Sequence, residues 1–446
     1  MKALILTVDY LTPQFDRRIL DLDDQLRKLS VQTSIVTIGN HATIQWHRER
    51  PIFQISKFPR GIFSKLQQEA ILSGLFDEFS IRTSEVQEGK KNLLKKTWHM
   101  MPLGIKKYLK PFLIRFLNAL NWLKNAKNQS SDIYGADIAN DYWDLSHALI
   151  NANKDEKYDL YIGTDIPSGI ASLWLANYHN GKSWYEAHEF ATEQGWLQNQ
   201  PGYSEMLIQL EKILVQKSTI FTSVSQELTL EMATTFSRSK PFYTLTNATN
   251  FDFKYYVAPE IIQSFKDAKR DKRALLFHGV LSDSRGLADF VEIFEETNHP
   301  EWKLILMGYG VGPKLERKLH KASNTVFLPP VSGAEILHIV EMSDAIVMPY
   351  PVQDLNSKYG FANKLGDCIA LKTPFIYNIE LLSIDKVANE TSSGIGFDWT
   401  EILDNPGELF SKLDQITLLQ PDWQAAETHY GYTNFSNQIK QIIDSL

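Results

Sequence analysis

Lys364 and Asp367, one helical turn apart, carry the chemistry this sequence displays most openly. They lie in YGFANKLGDCIALKTPFIYN, Tyr359 to Asn378. There Gly360 and Asn363 mark a loop, Lys364 to Lys372 has helical character, and Thr373-Pro374 stops it before the apolar run Phe375-Ile376-Tyr377. A loop that feeds a helix leaves backbone N–H groups unpaired and points the positive end of the helix dipole outward, which suits a bound anion. Lys364 adds a mobile cation beside that anion, and the Asp367 carboxylate can accept two hydrogen bonds from a diol such as a ribose. An ordinary loop, helix and strand with a solvated Lys and Asp accounts for the same residues. A third candidate is His188 in WYEAHE, a strand running into a loop. A lone His is commonly structural, but strand ends in an open α/β sheet meet the ligand crevice.

The elements that must position these groups alternate along the chain. Ala3 to Val8 reads as a buried strand, Arg18 to Leu29 places Ile19, Leu22, Leu26 and Leu29 at helical spacing, and Val31 to Ile38 is the next strand. The chain thus opens as a β-α-β unit around DYLTPQFDR, a loop without the Gly-x-Gly-x-x-Gly of a dinucleotide dehydrogenase. The rhythm returns with strands at Leu160 to Ile162 and Ile220 to Ser225. A charged stretch, Tyr255 to Arg273, broken by Pro259, reads as a linker. Beyond it come strands at Leu275 to Gly279, Leu304 to Gly308, Val326 to Leu328 and Ala345 to Met348, the order of a second doubly wound domain. Trp423 to Leu446 reads as one helix with Ile439, Ile442 and Ile443 on a single face.

Several of these stretches resemble retaining glycosyltransferases of family 4 and their relatives. Tyr359 stands where that family has a Glu, Gly360-Phe361-Ala362 at its Gly-Phe-Gly, Asp367 at its second Glu, and Pro374-Phe375-Ile376 at its Pro-Val-Ile. HGVLSDSRGL is similar to the family's Gly-Arg-Leu…Lys-Gly-Leu, whose Arg and Lys clamp a diphosphate. Arg285 takes the Lys position with a bidentate fork, and Val280 replaces the Arg. WYEAHE is similar to the family's Asp-x-His-Glu, whose His faces the donor sugar. Asp16-Arg17 matches a pair in its first loop, and Asn247 its Asn-Gly exit.

The resemblance implies the GT-B arrangement, an α/β fold of two Rossmann-like domains facing across a cleft. Residues 1–254 would form the acceptor domain, with a basic amphipathic insertion at about 90–131. Residues 255–273 would be the linker, 274–422 the nucleotide-sugar domain, and 423–446 a helix crossing back to the first domain. It also implies transfer of a sugar from a nucleotide diphosphate sugar to an acceptor hydroxyl, with retention. His188, Arg285 and Lys364 would be catalytic. Gly279, Tyr359, Gly360, Phe361, Ala362, Asn363 and Asp367 would bind the donor, with Asp16 and Arg17 in a cleft loop. No metal or other cofactor is expected, since Arg285 and Lys364 would stabilise the departing diphosphate in place of a divalent ion.

Composition sets the remaining bounds. The chain has 446 residues, 43% hydrophobic and 22% charged, enough apolar material for two cores. A formal charge of −7 disfavours a general nucleic-acid binder. The single cysteine, Cys368, cannot form an internal disulfide or by itself a zinc site, and reads as a small buried residue in a reducing cytosol. The opening strand lacks the features of a signal peptide, and no run of about 20 apolar residues offers a membrane span, so a cytoplasmic protein is expected.

Lys90 to Ser131 contains no acidic residue. Lys95, Lys96, Lys106, Lys107 and Lys110 interleave there with Trp98, Phe112 and Phe116. This is the pattern of a helix on an anionic membrane surface, although a helical pair with a solvated basic rim would share it. The expected acceptor is therefore a lipid-linked glycan at the inner membrane face, in cell-surface polysaccharide synthesis. A nucleotide-sugar epimerase and a non-catalytic, membrane-docked scaffold on the same fold stay open.

Overall fold

The structure is a computed structural model describing residues 1–7, 17–39, 43–47, 50–56, 145–194, 201–250, 257–297 and 299–446. Asp16 and the basic stretch containing Lys95, Lys96, Trp98, Lys106, Lys107, Lys110, Phe112 and Phe116 lie outside the described residues. The chain forms two compact units. One draws on Met1–Tyr10, Gln32–Glu186 and Trp196–Thr219, the other on Leu11–Val31, Ala187–Gly195 and Ile220–Leu446.

The first unit contains β1 (Lys2–Leu6), β2 (Gln32–Gly39), β3 (Thr43–His47), β4 (Arg50–Ser56), β5 (Leu160–Thr164) and β6 (Lys182–Ala187), in the spatial order β3-β4-β2-β1-β5-β6. All neighbours run parallel except β3 and β4. Ala3 to Leu6 and Leu160 to Ile162 are fully buried, as parallel strands covered on both faces require.

The second unit holds a parallel pair, β7 (Ile220–Ser223) and β8 (Phe242–Thr244). It also holds a parallel sheet of β9 (Arg273–Val280), β10 (Trp302–Tyr309), β11 (Thr325–Leu328), β12 (Ala345–Met348), β13 (Phe375–Asn378) and β14 (Gly394–Phe397). Their order, β11-β10-β9-β12-β13-β14, is doubly wound, and it reverses between β9 and β12. Open α/β sheets bind ligands outside the carboxyl ends of the strands at such a reversal. Here those ends are Gly279 and the Pro349-Tyr350 pair that follows Met348.

Two stretches differ from the sequence expectation. The region read as a linker contains the helix Pro259–Lys269, with Pro259 in its first turn. Proline's missing N–H costs nothing there, so it starts the helix instead of breaking the chain. The terminal segment is two helices, Trp423–Tyr430 and Tyr432–Asp444, meeting at Gly431. Tyr432, at that junction, accepts a 2.9 Å hydrogen bond from Gln25 of the Arg17–Lys28 helix.

Candidate functional site

Two cations meet at one aromatic residue beyond β12. The Lys364 ammonium donates to the Tyr350 hydroxyl at 2.6 Å and lies 4.4 Å from the Phe277 ring centroid. The Arg285 guanidinium lies 5.0 Å from the Tyr350 ring centroid. Tyr350 itself is held by Asn378, which donates to its carbonyl at 2.9 Å. Among the described residues neither Lys364 nor Arg285 has a carboxylate partner, so both charges remain available to an anion.

Two glycines allow this approach. Gly286 follows the short turn Asp283–Arg285 at φ +71°, and a Cβ there would come within 2.9 Å of the Pro349 carbonyl oxygen. Gly279 ends the β9 core at φ +105°, and a Cβ there would lie 3.5 Å from the Lys364 ammonium. Both positions favour glycine conformationally; Gly279 brings bare backbone to Lys364, and Gly286 lets the turn that carries Arg285 close on the Pro349 carbonyl.

Below them lies a buried polar cluster. Asp367, with no exposed surface, accepts through Oδ1 from Arg17 Nη2 at 2.8 Å and from Thr249 Oγ1 at 2.6 Å. Its Oδ2 faces His278 Nε2 at 3.7 Å. Burial, and then the neighbouring Lys364 charge, lower the His278 pKa to about 3; Asp367 opposes the shift and Arg17 adds to it. His278 is therefore neutral near pH 7. Arg17 Nη1, His278 Nε2 and Asp367 Oδ2 are all buried without a hydrogen-bond partner among the described residues.

The loop joining the helices Leu355–Tyr359 and Asn363–Leu371 is held through its backbone. Ser225 and Ser383 donate to the Tyr359 carbonyl at 2.5 and 2.7 Å. Asn247 donates to the Phe361 carbonyl at 2.6 Å while its own oxygen accepts from Arg18 at 2.5 Å. Arg18 also donates to the carbonyls of Leu245 and Thr246. His188 directly follows β6 and is half-buried, and the Phe190 N–H donates to the Asn356 side chain at 2.9 Å. Cys368 is fully buried, and burial pushes its thiol pKa well up.

The structure thus gathers Arg17, Gly279, Arg285, Lys364 and Asp367, and threads Tyr359 to Asn363 beside them. His188 enters on a separate segment. Sequence reasoning missed Tyr350, His278, Thr249 and Arg18. His278 stands within a motif already singled out, next to Gly279. Arg18 follows the Asp16-Arg17 pair in the first turn of the helix Arg17–Lys28, whereas Tyr350 and Thr249 are single residues outside helices and strands and carry no local signal.

No family model and no curated protein matches the sequence. Solved structures share its architecture. Sucrose-phosphate synthase from Thermosynechococcus elongatus matches with a TM-score of 0.63 at 12% identity, over 100% of this chain and 99% of that one. Anabaena Alr3699/HepE, solved in complex with UDP-glucose, gives 0.60 at 10% identity over 100% of both chains. A structure described as a UDP-N-acetylglucosamine 2-epimerase from Listeria monocytogenes gives 0.54 at 11% identity, over 100% of this chain and 96% of that one.

The fold is GT-B. In this GT-B chain the cation pair and the Asp367 cluster occupy the strand reversal of the second sheet. No described helix is long and apolar enough to cross a membrane.

Proposed function

We propose that the protein is a glycosyltransferase that moves a sugar from a nucleotide diphosphate sugar to an acceptor hydroxyl. One observation carries the reading: Lys364 and Arg285 converge on Tyr350, beside the bare backbone of Gly279, with no carboxylate among the described residues to neutralise them.

In this reading the donor diphosphate lies against both cations and against N–H groups of the loop from Tyr359 to Asn363. Charge grows on the diphosphate as the sugar leaves, and fixed positive groups in a partly buried site stabilise that charge most where it is greatest. The cations serve without a divalent ion. Asp367 takes the ribose hydroxyls, and its Oδ2 has no hydrogen-bond partner among the described residues. His188 contacts the transferred sugar. The anomeric configuration is retained, with the donor phosphate taking the acceptor proton.

The acceptor is a lipid-linked glycan in cell-surface polysaccharide synthesis, brought near by the basic stretch from 90 to 131 docking on an anionic membrane at the cytoplasmic face. An epimerase on this fold is the second reading, favoured by the likeness to the Listeria structure. It would turn over the nucleotide sugar with no acceptor present.

Thermal unfolding with UDP, GDP, ADP and CMP and their sugars, with and without metal, tests the donor site, because a ligand of the native state raises its stability by mass action. A metal-independent shift with one nucleoside diphosphate is expected. No shift across the panel would overturn the reading. Neutralising the lysines from Lys95 to Lys110 should release the protein from anionic vesicles while leaving that shift unchanged.

A further inference from the structure

A groove of about 480 Å³ lies in the second unit, lined by none of the three cations Arg17, Arg285 and Lys364. Its volume falls in the range that holds small ligands. One wall is the helix Tyr432–Asp444, which presents the side-chain amides of Asn434, Gln438 and Gln441 at successive turns. None of the three amides has a partner among the described residues. Facing residues include Phe242, 38% exposed, and Phe361 of the loop between Tyr359 and Asn363.

The lining selects a chemistry. Its one carboxylate among the described residues, Glu227, is already paired with Lys386 at 2.8 Å, so these residues offer no fixed cation to a phosphate and no free anion to a base. A wholly apolar ligand would bury the amides unpaired, at a cost. Each amide both donates and accepts, as does each hydroxyl of a sugar ring. An exposed aromatic face suits the C–H face of the same ring.

We propose that this groove binds a neutral oligosaccharide segment, separately from the nucleotide. The site also reaches the donor loop. Ser225 and Ser383, which hold the Tyr359 carbonyl, line the groove, as does Phe361. A bound glycan therefore touches the segment that frames the donor site.

Saturation-transfer NMR and calorimetry of the full chain with maltotriose, cellotriose and chitotriose, each with and without saturating UDP, test the proposal. At least one trisaccharide should bind, equally well in both conditions. Gln438→Leu and the exposed Gln441→Ala should each weaken it about three- to tenfold, the effect of losing one neutral hydrogen bond. Both variants should unfold at the wild-type temperature, and Arg285→Ala should bind as wild type does. Silence with all three sugars, competition by UDP, or full binding by both amide variants would overturn the proposal. The nucleotide panel reads the donor site independently, so failure of either reading is visible without the other.

Discussion

Tyr350→Phe keeps an aromatic ring and deletes one oxygen, the acceptor of the 2.6 Å hydrogen bond from Lys364. A hydrogen bond with one charged partner contributes about 1.5–3 kcal/mol, and Lys364 is only half-buried, which places its loss near the low end. About 1.4 kcal/mol is tenfold in rate, so turnover should fall about tenfold if Lys364 works from the position Tyr350 gives it. Tyr350→Leu also removes the ring that Arg285 approaches at 5.0 Å and Lys364 at 5.4 Å. At about 0.5–1 kcal/mol for each cation on a partly solvated ring, a further fall of roughly five- to thirtyfold is expected.

The decisive measurement is the double variant. Tyr350 acts through Lys364, so Tyr350→Phe should cost almost nothing in a Lys364→Ala background, a non-additivity expected only of coupled residues. Nucleoside diphosphate release at saturating donor gives the rates, and calorimetry with the nucleotide separates weakened binding from weakened turnover. Single variants within twofold of wild type, or an undiminished tenfold loss in the Lys364→Ala background, would refute the reasoning.

Three further outcomes are expected. Arg285→Ala and Lys364→Ala should each lower turnover about a hundredfold or more, as removal of a charge-stabilising donor does, and near-normal rates in both would dismiss the site. His278 has a folded pKa of about 3 against an ordinary 6.5, so between those values the unfolded chain takes up a proton that the folded chain refuses. Its contribution is complete above about pH 6.5 and is lost as pH falls toward 3, by up to about 1.4 kcal/mol per unit. His278→Gln should flatten that limb in urea unfolding at pH 7 and pH 5, whereas equal slopes would remove His278 as its cause. Arg17→Ala strands a fully buried carboxylate with one remaining donor, Thr249, and should cost about 3 kcal/mol or more. Adding Asp367→Asn should recover much of that, and an unchanged unfolding midpoint in Arg17→Ala would show that the pair holds nothing.

The alternation of strands and helices was legible because buried parallel strands read as short apolar runs such as Leu275-Leu276-Phe277, closed by turn residues. Pro259 misled because its meaning depends on position: it obstructs a helix interior and favours a first turn. The terminal helices looked continuous because Ile439, Ile442 and Ile443 mark only the later half, and nothing local showed where Gly431 would break the path. Lys364 and Arg285 were readable from loops whose residue order resembled a known pattern. The partners of Asp367 were not, since Arg17 lies 350 residues away and such a contact exists only once the chain has folded. Tyr350 is one aromatic residue after a strand, and only the reversal of strand order makes that position special.

The Asn247 amide has a polarity that its shape does not reveal. Its oxygen accepts a hydrogen bond from Arg18 and its nitrogen donates one to the Phe361 carbonyl, so the side chain works in one direction only. Aspartate would match it almost atom for atom and still set an acceptor against an acceptor at Phe361. Hydrolysis of that single amide would therefore turn one link of the chain from donor to acceptor without changing its bulk, and the loop would lose a tie while its packing stayed the same.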